Sequence, residues 1–120
     1  MKKICIIALL WVVLASCSSK KADDNVPQKL LTEPEMVAIM TDIQLIESDL
    51  NLRKTNGQDV KDRSVDYYGQ LFEHHGITDS IFRENMCYYT HYPAILERIM
   101  DSVSNRLVRE QSESRRDDSQ

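Results

Sequence analysis

Apolar residues recur at steps of three and four in several stretches of the chain, which is the period of a helix with one buried face. The first such stretch has a clear beginning, because Thr32 and Glu35 have the spacing of a capping box. We predict a helix from Thr32 to about Leu52, ended by the break at Gly57. Its apolar stripe consists of Met36, Ile39, Met40, Ile43, Ile46 and Leu50.

A second helix is predicted from Asp59 or Lys61 to His75. Gly76 suits the left-handed position that follows a helix, and Ile77 after it can pack back on the last turn, as in a Schellman motif. The predicted inward-facing residues of this helix are Val65, Tyr68, Leu71 and Phe72.

Two more helices follow. Thr78 is the predicted N-cap of the third, and Pro93 suits the first turn of the fourth. Their apolar stripes are Ile81, Phe82, Met86 and Tyr89, then Leu96, Ile99, Met100, Val103 and Leu107. With no strand-like alternation, the pattern predicts an all-α fold: a small bundle of three to four amphipathic helices over residues 32–109, with a disordered tail at 110–120.

The amino-terminal pattern is different. Two lysines follow Met1, and residues 4–15 are an almost unbroken apolar run, which is typical of a secretory signal and shorter than the roughly 20 residues of a membrane-spanning helix. Cys17 directly follows Leu-Ala-Ser, which resembles the bacterial lipobox. We therefore predict a cleaved lipoprotein signal peptide at 1–16 and lipidation of Cys17. The alternative is an ordinary secreted protein in which Cys17 only lies near the cleavage site.

Residues 17–31 show no apolar period and predict a flexible linker that holds the domain within about 45 Å of the membrane. The protein is thus expected in the cell envelope, anchored by lipid. Because the acidic pair Asp23-Asp24 comes late, behind two lysines, we favour the outer membrane facing the periplasm over surface exposure.

Charge limits the classes of partner that the chain can bind, and cysteine content leaves one free thiol. Without residues 1–16 the chain keeps 13 basic and 19 acidic residues, a net charge of −6, which disfavours nucleic acid and anionic membrane surfaces as partners. Cys5 leaves with the signal peptide and Cys17 carries lipid, so Cys87 is the remaining thiol. Since it lies between Met86 and Tyr88, we predict that it is buried.

Candidate chemistry is sparse. A metal or nucleophile would use His74, His75, His91 or Cys87, but their spacing matches no known ligand signature. We expect His75 to cap the second helix and His74 to be solvated. No catalytic, cofactor-binding or metal-binding residue is assigned. Asp42 and Glu47 lie five residues apart, too far around a helix to act as an acid/base pair.

Five tyrosines form the other noticeable set. In each adjacent pair we expect one ring to face the core, while exposure of Tyr67, Tyr88 or Tyr92 would indicate a hydrophobic groove. The full set is Tyr67, Tyr68, Tyr88, Tyr89 and Tyr92.

Several of these motifs together resemble a family of small lipoproteins in Bacteroidota-type bacteria, known as a domain of unknown function. The resemblance covers about residues 27–108, and its most distinctive part is the His-Gly-Ile-Thr joint at 75–78 followed by Tyr88-Tyr89. It implies an all-helical envelope domain and transfers no catalytic residues. The other matching positions are Pro34, Met36-Val37, Asp42-Ile43, Glu47, Tyr68, Phe72, Phe82, Pro93 and Leu96.

The expected function is that of a non-catalytic binding or assembly module of the cell envelope. Its partner would be an envelope protein or a second copy, and exposure of Met40, Met86 or Met100 would favour such contacts. The alternative is a small metal- or thiol-dependent enzyme that uses the histidines and thiol named above.

Overall fold

A computed structural model of the protein describes residues 26–117, which form four helices and no strand. We number them α1 (Glu33–Thr55), α2 (Lys61–His74), α3 (Asp79–Thr90) and α4 (Pro93–Asp117). The predicted all-α bundle is therefore confirmed. Within the same residues, no helix is both long enough and apolar enough to cross a membrane.

The central helix is α1, and its start is fixed by the predicted capping box. The Thr32 hydroxyl accepts a hydrogen bond from the Glu35 amide at 3.4 Å, and the Glu35 carboxylate accepts one from the Thr32 amide at 2.7 Å. These reciprocal bonds satisfy amides that have no partner within the helix. At the other end α1 continues to Thr55, almost a turn beyond the predicted Leu52, before Gly57 takes a φ of 77°.

Helix α2 runs antiparallel to α1: Tyr68 is bound to Glu47, while His75, at the later end of α2, is bound to Asp42, which is earlier on α1. The predicted Schellman motif ends it: the Ile77 amide donates to the Phe72 carbonyl and the Gly76 amide to the Glu73 carbonyl, each at 3.0 Å. Gly76 has a φ of 61°, a conformation that glycine adopts without steric cost.

Helix α4 packs along α1 in the parallel direction. Arg98, near the start of α4, donates to Glu33 at the start of α1 at 2.7 Å, and Ser114 lies across a groove from Ser48 near the other ends. This parallel arrangement is possible because α2 and α3, which lie between α1 and α4 in the sequence, return the chain to the end of the bundle where α1 begins.

The core contains seven of the predicted stripe residues, and eight more pack against it partly buried. It also contains one residue that precedes α1, Leu31, which is 1% exposed. Two polar side chains, Thr41 and Asn85, are also fully buried, and both are hydrogen-bonded. The buried apolar cluster consists of Leu31, Met36, Ile39, Met40, Leu71, Ile77, Tyr89, Ile99 and Val103.

Three side chains predicted to be buried or to lie on an apolar stripe are exposed: Cys87, Val65 and, on α4, Met100. Cys87 is exposed, since α3 turns Asn85 and Tyr89 inward and a residue midway between them lies on the opposite side of the helix. Val65 is 70% exposed, because α2 centres its buried face on Leu71 and leaves Val65 about 120° away. An apolar residue type alone did not identify the inward face in these helices.

The domain extends further at both ends than predicted. The predicted flexible linker reached Leu31, whereas Pro27 and Leu31 are buried in the structure. The predicted disordered tail began at residue 110, whereas α4 continues to Asp117. This extension lies along α1 and is joined to the preceding turn by an ion pair between Arg106 and Glu110 at 3.1 Å, so polar contacts continue the helix where the apolar period ends.

Candidate functional site

An open groove of about 790 Å³ lies between α1 and α2. The half-buried Ile46 and the buried Leu71 form its apolar floor, and Leu45 and Tyr67 lie at its sides. Carboxylates from both helices also reach it. The groove has the composition of a binding surface, apolar in the middle and polar at the rim.

At one end of this groove, Asp42 on α1 meets the C-cap residue of α2. The His75 Nε2 atom lies 2.7 Å from an Asp42 carboxylate oxygen, and the contact is an ion pair when the imidazole is protonated. His74 is exposed and makes an edge-to-face contact with His75, with ring centroids 5.2 Å apart. The expected roles are confirmed: His75 ends the helix, and His74 is solvated at the groove rim.

At the other end, Asp49 accepts a hydrogen bond from the Arg53 guanidinium at 2.7 Å. This bond, helped by a further hydrogen bond from Tyr67, lowers the pKa of the Asp49 carboxyl below its ordinary value. The rim therefore holds an anionic carboxylate whose position is fixed by its neighbours.

The opposite side of the α1–α2 contact holds a second polar link, from the Tyr68 hydroxyl to the Glu47 carboxylate. Burial of the phenol, together with this hydrogen bond, raises the pKa of Tyr68 to about 12. From the sequence, neither Asp42 nor Glu47 had a visible partner, because each partner lies on another helix more than 20 positions along the chain.

A second groove, of about 510 Å³, separates the carboxyl-terminal halves of α1 and α4. Leu45 lines both grooves and Val108 lines the second. Leu52 lies two turns beyond Leu45 on the same side of α1. Leu45, Leu52 and Val108 are 46%, 62% and 67% exposed, respectively, and we call these three side chains the open face.

The four residues considered for metal or thiol chemistry are spread over two helix ends. His91 lies 2.9 Å from the Cys87 carbonyl oxygen through its Nδ1 atom, so it contacts the main chain of α3. His74 and His75 are at the end of α2. Among residues 26–117, no three histidine, cysteine, aspartate or glutamate side chains are placed to hold a metal ion.

The tyrosines divide as the sequence predicted for one pair. Tyr89 is buried, whereas Tyr88 is half-buried and packs against Tyr92 with the rings tilted and their centroids 4.8 Å apart. Tyr92 itself is 37% exposed. Both Tyr67 and Tyr68 are half-buried, so neither ring of that pair is fully in the core.

The three methionines named as markers of a binding surface differ. Met100 is 43% exposed, whereas Met40 is buried and Met86 is half-buried. One of the three therefore meets the expectation. Cys17, the predicted lipidation site, lies outside the described residues.

Comparison with known proteins identifies a family and gives no functional analogue. No curated protein and no solved structure matches the chain. A family model described as a domain of unknown function (DUF4296) matches residues 27–113, which includes all of α1, α2 and α3 and most of α4. The chain belongs to the DUF4296 family of domains of unknown function.

Proposed function

We propose that the protein is a lipid-anchored component of the bacterial cell envelope and acts as a non-catalytic binding or assembly module. Its sequence supports the anchor: a short apolar signal is followed by Cys17 in a lipobox-like context. We place the protein at the outer membrane facing the periplasm, as a lipoprotein of the Bacteroidota type.

The open face is the observation that carries this proposal. Leu45 lines both grooves, Val108 lines the second, and Leu52 follows Leu45 on the same side of α1. All three side chains are exposed, although the same helices bury other apolar residues fully. Grouped apolar side chains that adjoin a groove and have a polar rim are typical of protein interaction sites.

The occupant that fits best is an amphipathic helix of a partner protein. A groove between two helices accepts the apolar stripe of a third, with leucine-sized side chains in contact with Leu45, Ile46 and Leu71. The carboxylates of Asp42 and Asp49 would then favour basic residues at the edges of the partner's stripe.

Lipid anchoring would compensate for the low affinity expected of a binding surface made of a few side chains. A lipid-bound domain and a partner in the same envelope share a small volume, which raises the effective concentration of each for the other. An exposed surface of a few side chains can then bind usefully without the affinity that a dilute solution would require.

The test uses crosslinking in the native producing cells. The chain carrying Leu45→Ser and Leu52→Ser is compared with one carrying Val65→Ser, because Val65 is at least as exposed as either leucine and lies on a different helix, outside the open face. We expect a crosslinked partner that is recovered with the wild type and the Val65 variant, and is lost with the double variant. Recovery that is the same in all three would contradict binding through the open face.

A second arm replaces Cys17 with alanine. We expect loss of membrane fractionation and a large loss of the same crosslinked product. A product that contains only this chain would contradict the heterologous partner and indicate self-association.

A further inference from the structure

The segment that precedes α1 is held by two side chains of α3. Asn85 is fully buried; its side-chain oxygen accepts the Leu31 amide at 2.7 Å and its amide nitrogen donates to the Lys29 carbonyl at 2.8 Å. The Tyr89 hydroxyl donates to the Leu31 carbonyl at 2.6 Å. Three main-chain atoms of this segment are thus bound by two side chains more than 50 positions away.

Other contacts extend the same attachment. The Leu31 side chain is 1% exposed, Pro27 is buried, and the Lys29 ammonium donates to the Gly76 carbonyl at the end of α2. We call residues 27–31 the strap and the pair Asn85 and Tyr89 the clamp. Because the clamp binds main-chain atoms, it depends on the backbone conformation of the strap and not on the identity of the strap's exposed side chains.

The course of the strap decides where the chain leaves the domain. Lys29 is hydrogen-bonded to Asn85 and Gly76, and Leu31 is hydrogen-bonded to Tyr89. The chain toward the amino terminus therefore leaves the domain beside the start of α3. It does not leave at Thr32, where α1 begins.

This exit lies on the opposite side of α1 from the open face. Leu31 and Met36 belong to one buried cluster with Tyr89. Leu45 follows Met36 by nine residues, which at about 100° per residue is about half a turn around the helix. Leu52 lies nine residues beyond Ile43 and is related to that core-facing side chain in the same way.

We propose that the clamp joins the strap to the domain, shortens the membrane leash and turns the open face away from the bilayer. This proposal rests on the lipid anchor at Cys17. With the strap bound, nine residues separate Cys17 from Pro27, a reach of about 30 Å, whereas release of the strap would lengthen the leash by about 15 Å and move its origin to Thr32. Asn85 and Tyr89 are therefore positioning residues for the anchored domain.

The first experiment needs no lipid. Hydrogen exchange is followed by NMR in the full mature chain with Cys17→Ala, at the Leu31 amide and at the Ile39 amide as a core reference. Tyr89→Phe removes one clamp hydrogen bond and keeps the ring, and should speed Leu31 exchange about fivefold while Ile39 changes less. The matched control is Tyr88→Phe, which removes the neighbouring hydroxyl and should leave Leu31 exchange unchanged.

An unprotected Leu31 amide in the parent chain would overturn the clamp, and so would equal effects of the two tyrosine substitutions on Leu31. Asn85→Ala, which removes both side-chain bonds to the strap, gives a second reading and should speed Leu31 exchange more than Tyr89→Phe does.

The second experiment tests orientation in native membranes. A photo-crosslinking amino acid is placed at Arg83, on the exposed side of α3, or at Leu52, on the open face. We expect several-fold more capture of phospholipid from position 83, and similar capture from both positions when Asn85→Ala is added. Equal capture in the protein with an intact clamp would overturn the orientation. If no lipid is captured from either position while the clamp is confirmed by exchange, the lipid anchor fails instead.

Discussion

The two ends of α1 have different surroundings. Its first half is enclosed by the strap, α3 and the start of α4, so that Met36, Ile39 and Ile99 are 0%, 1% and 0% exposed. Its second half has α2 and the end of α4 beside it, and Leu52 is 62% exposed. One amphipathic helix therefore buries apolar residues along its length, as at Ile39 and Leu50, and in its second half also presents an accessible apolar surface on the opposite side.

The comparison predicts a large difference between two leucine-sized residues of the same helix. Ile39→Ala should lower the free energy of unfolding by about 2–5 kcal/mol, because it leaves a cavity in the enclosed half. Leu52→Ala should change it by no more than about 0.5 kcal/mol. Urea denaturation of both variants checks this, and similar losses would show that the side of α1 at Leu52 is as closely packed as the core side.

Loss of the clamp should have the next largest effect. Asn85→Ala leaves the Leu31 amide and the Lys29 carbonyl without their hydrogen-bond partner. It should therefore lower the free energy of unfolding by about 1–3 kcal/mol. Asn105→Ala on the exposed side of α4 is the matched control and should have little effect. A melting temperature for the Asn85 variant that matches the control would contradict the role assigned to this buried amide.

The capping box should contribute less, and its contribution should depend on pH. Thr32→Ala is expected to cost about 1 kcal/mol near neutral pH. The hydrogen bonds from the Thr32 amide and hydroxyl lower the pKa of Glu35, so this carboxylate stabilises the fold above its ordinary pKa and loses that effect as pH falls through the lowered value.

The destabilisation by Thr32→Ala should therefore shrink in acid. Denaturation at neutral pH and at a pH below the lowered pKa of Glu35 measures this change, with Glu35→Gln as the control that removes the titrating group. A loss of stability that is the same at both pH values would show that the Glu35 charge does not contribute.

The smallest effect is expected at the contact between α1 and α2. Tyr68→Phe should cost about 0.5–1 kcal/mol at neutral pH by removing the bond to Glu47. Because the pKa of Tyr68 is raised to about 12, its contribution is present below the ordinary tyrosine value and is lost as pH rises through about 12. Phenolate absorbance during an alkaline titration should lose a late-ionising tyrosine in the variant. If the lost tyrosine ionises near 10, the link is absent in solution.

Local signals correctly predicted three of the helix ends. The Thr32 capping box, the Gly76 joint and the Thr78 cap each depend on residues within a few positions of one another, and all three form as predicted. The apolar period also found the core face of α1, because that helix has packed neighbours along its length.

Contacts between distant segments could not be predicted from the spacing of neighbouring residues. Nothing near Leu31 indicates that Asn85 and Tyr89 will bind it, and Asp42 has no local sign of His75. The prediction that Cys87 is buried was wrong, because its sequence neighbours are apolar but its side of α3 faces solvent. The missed contacts at Leu31 and Asp42 share one cause. Their partners lie on distant segments, and residue spacing within one segment does not show which distant side chain will bind it.

The measurement that tests the central claim most directly is site-specific photo-crosslinking in the native cells, with the reactive residue at Leu52 or at Val65. Both side chains are exposed, at 62% and 70%, and one belongs to the open face. The account predicts a discrete crosslink to another envelope protein from position 52 that requires Cys17, and none from position 65. Products of equal amount from both positions, or none from position 52, would contradict an anchored module that binds through its open face.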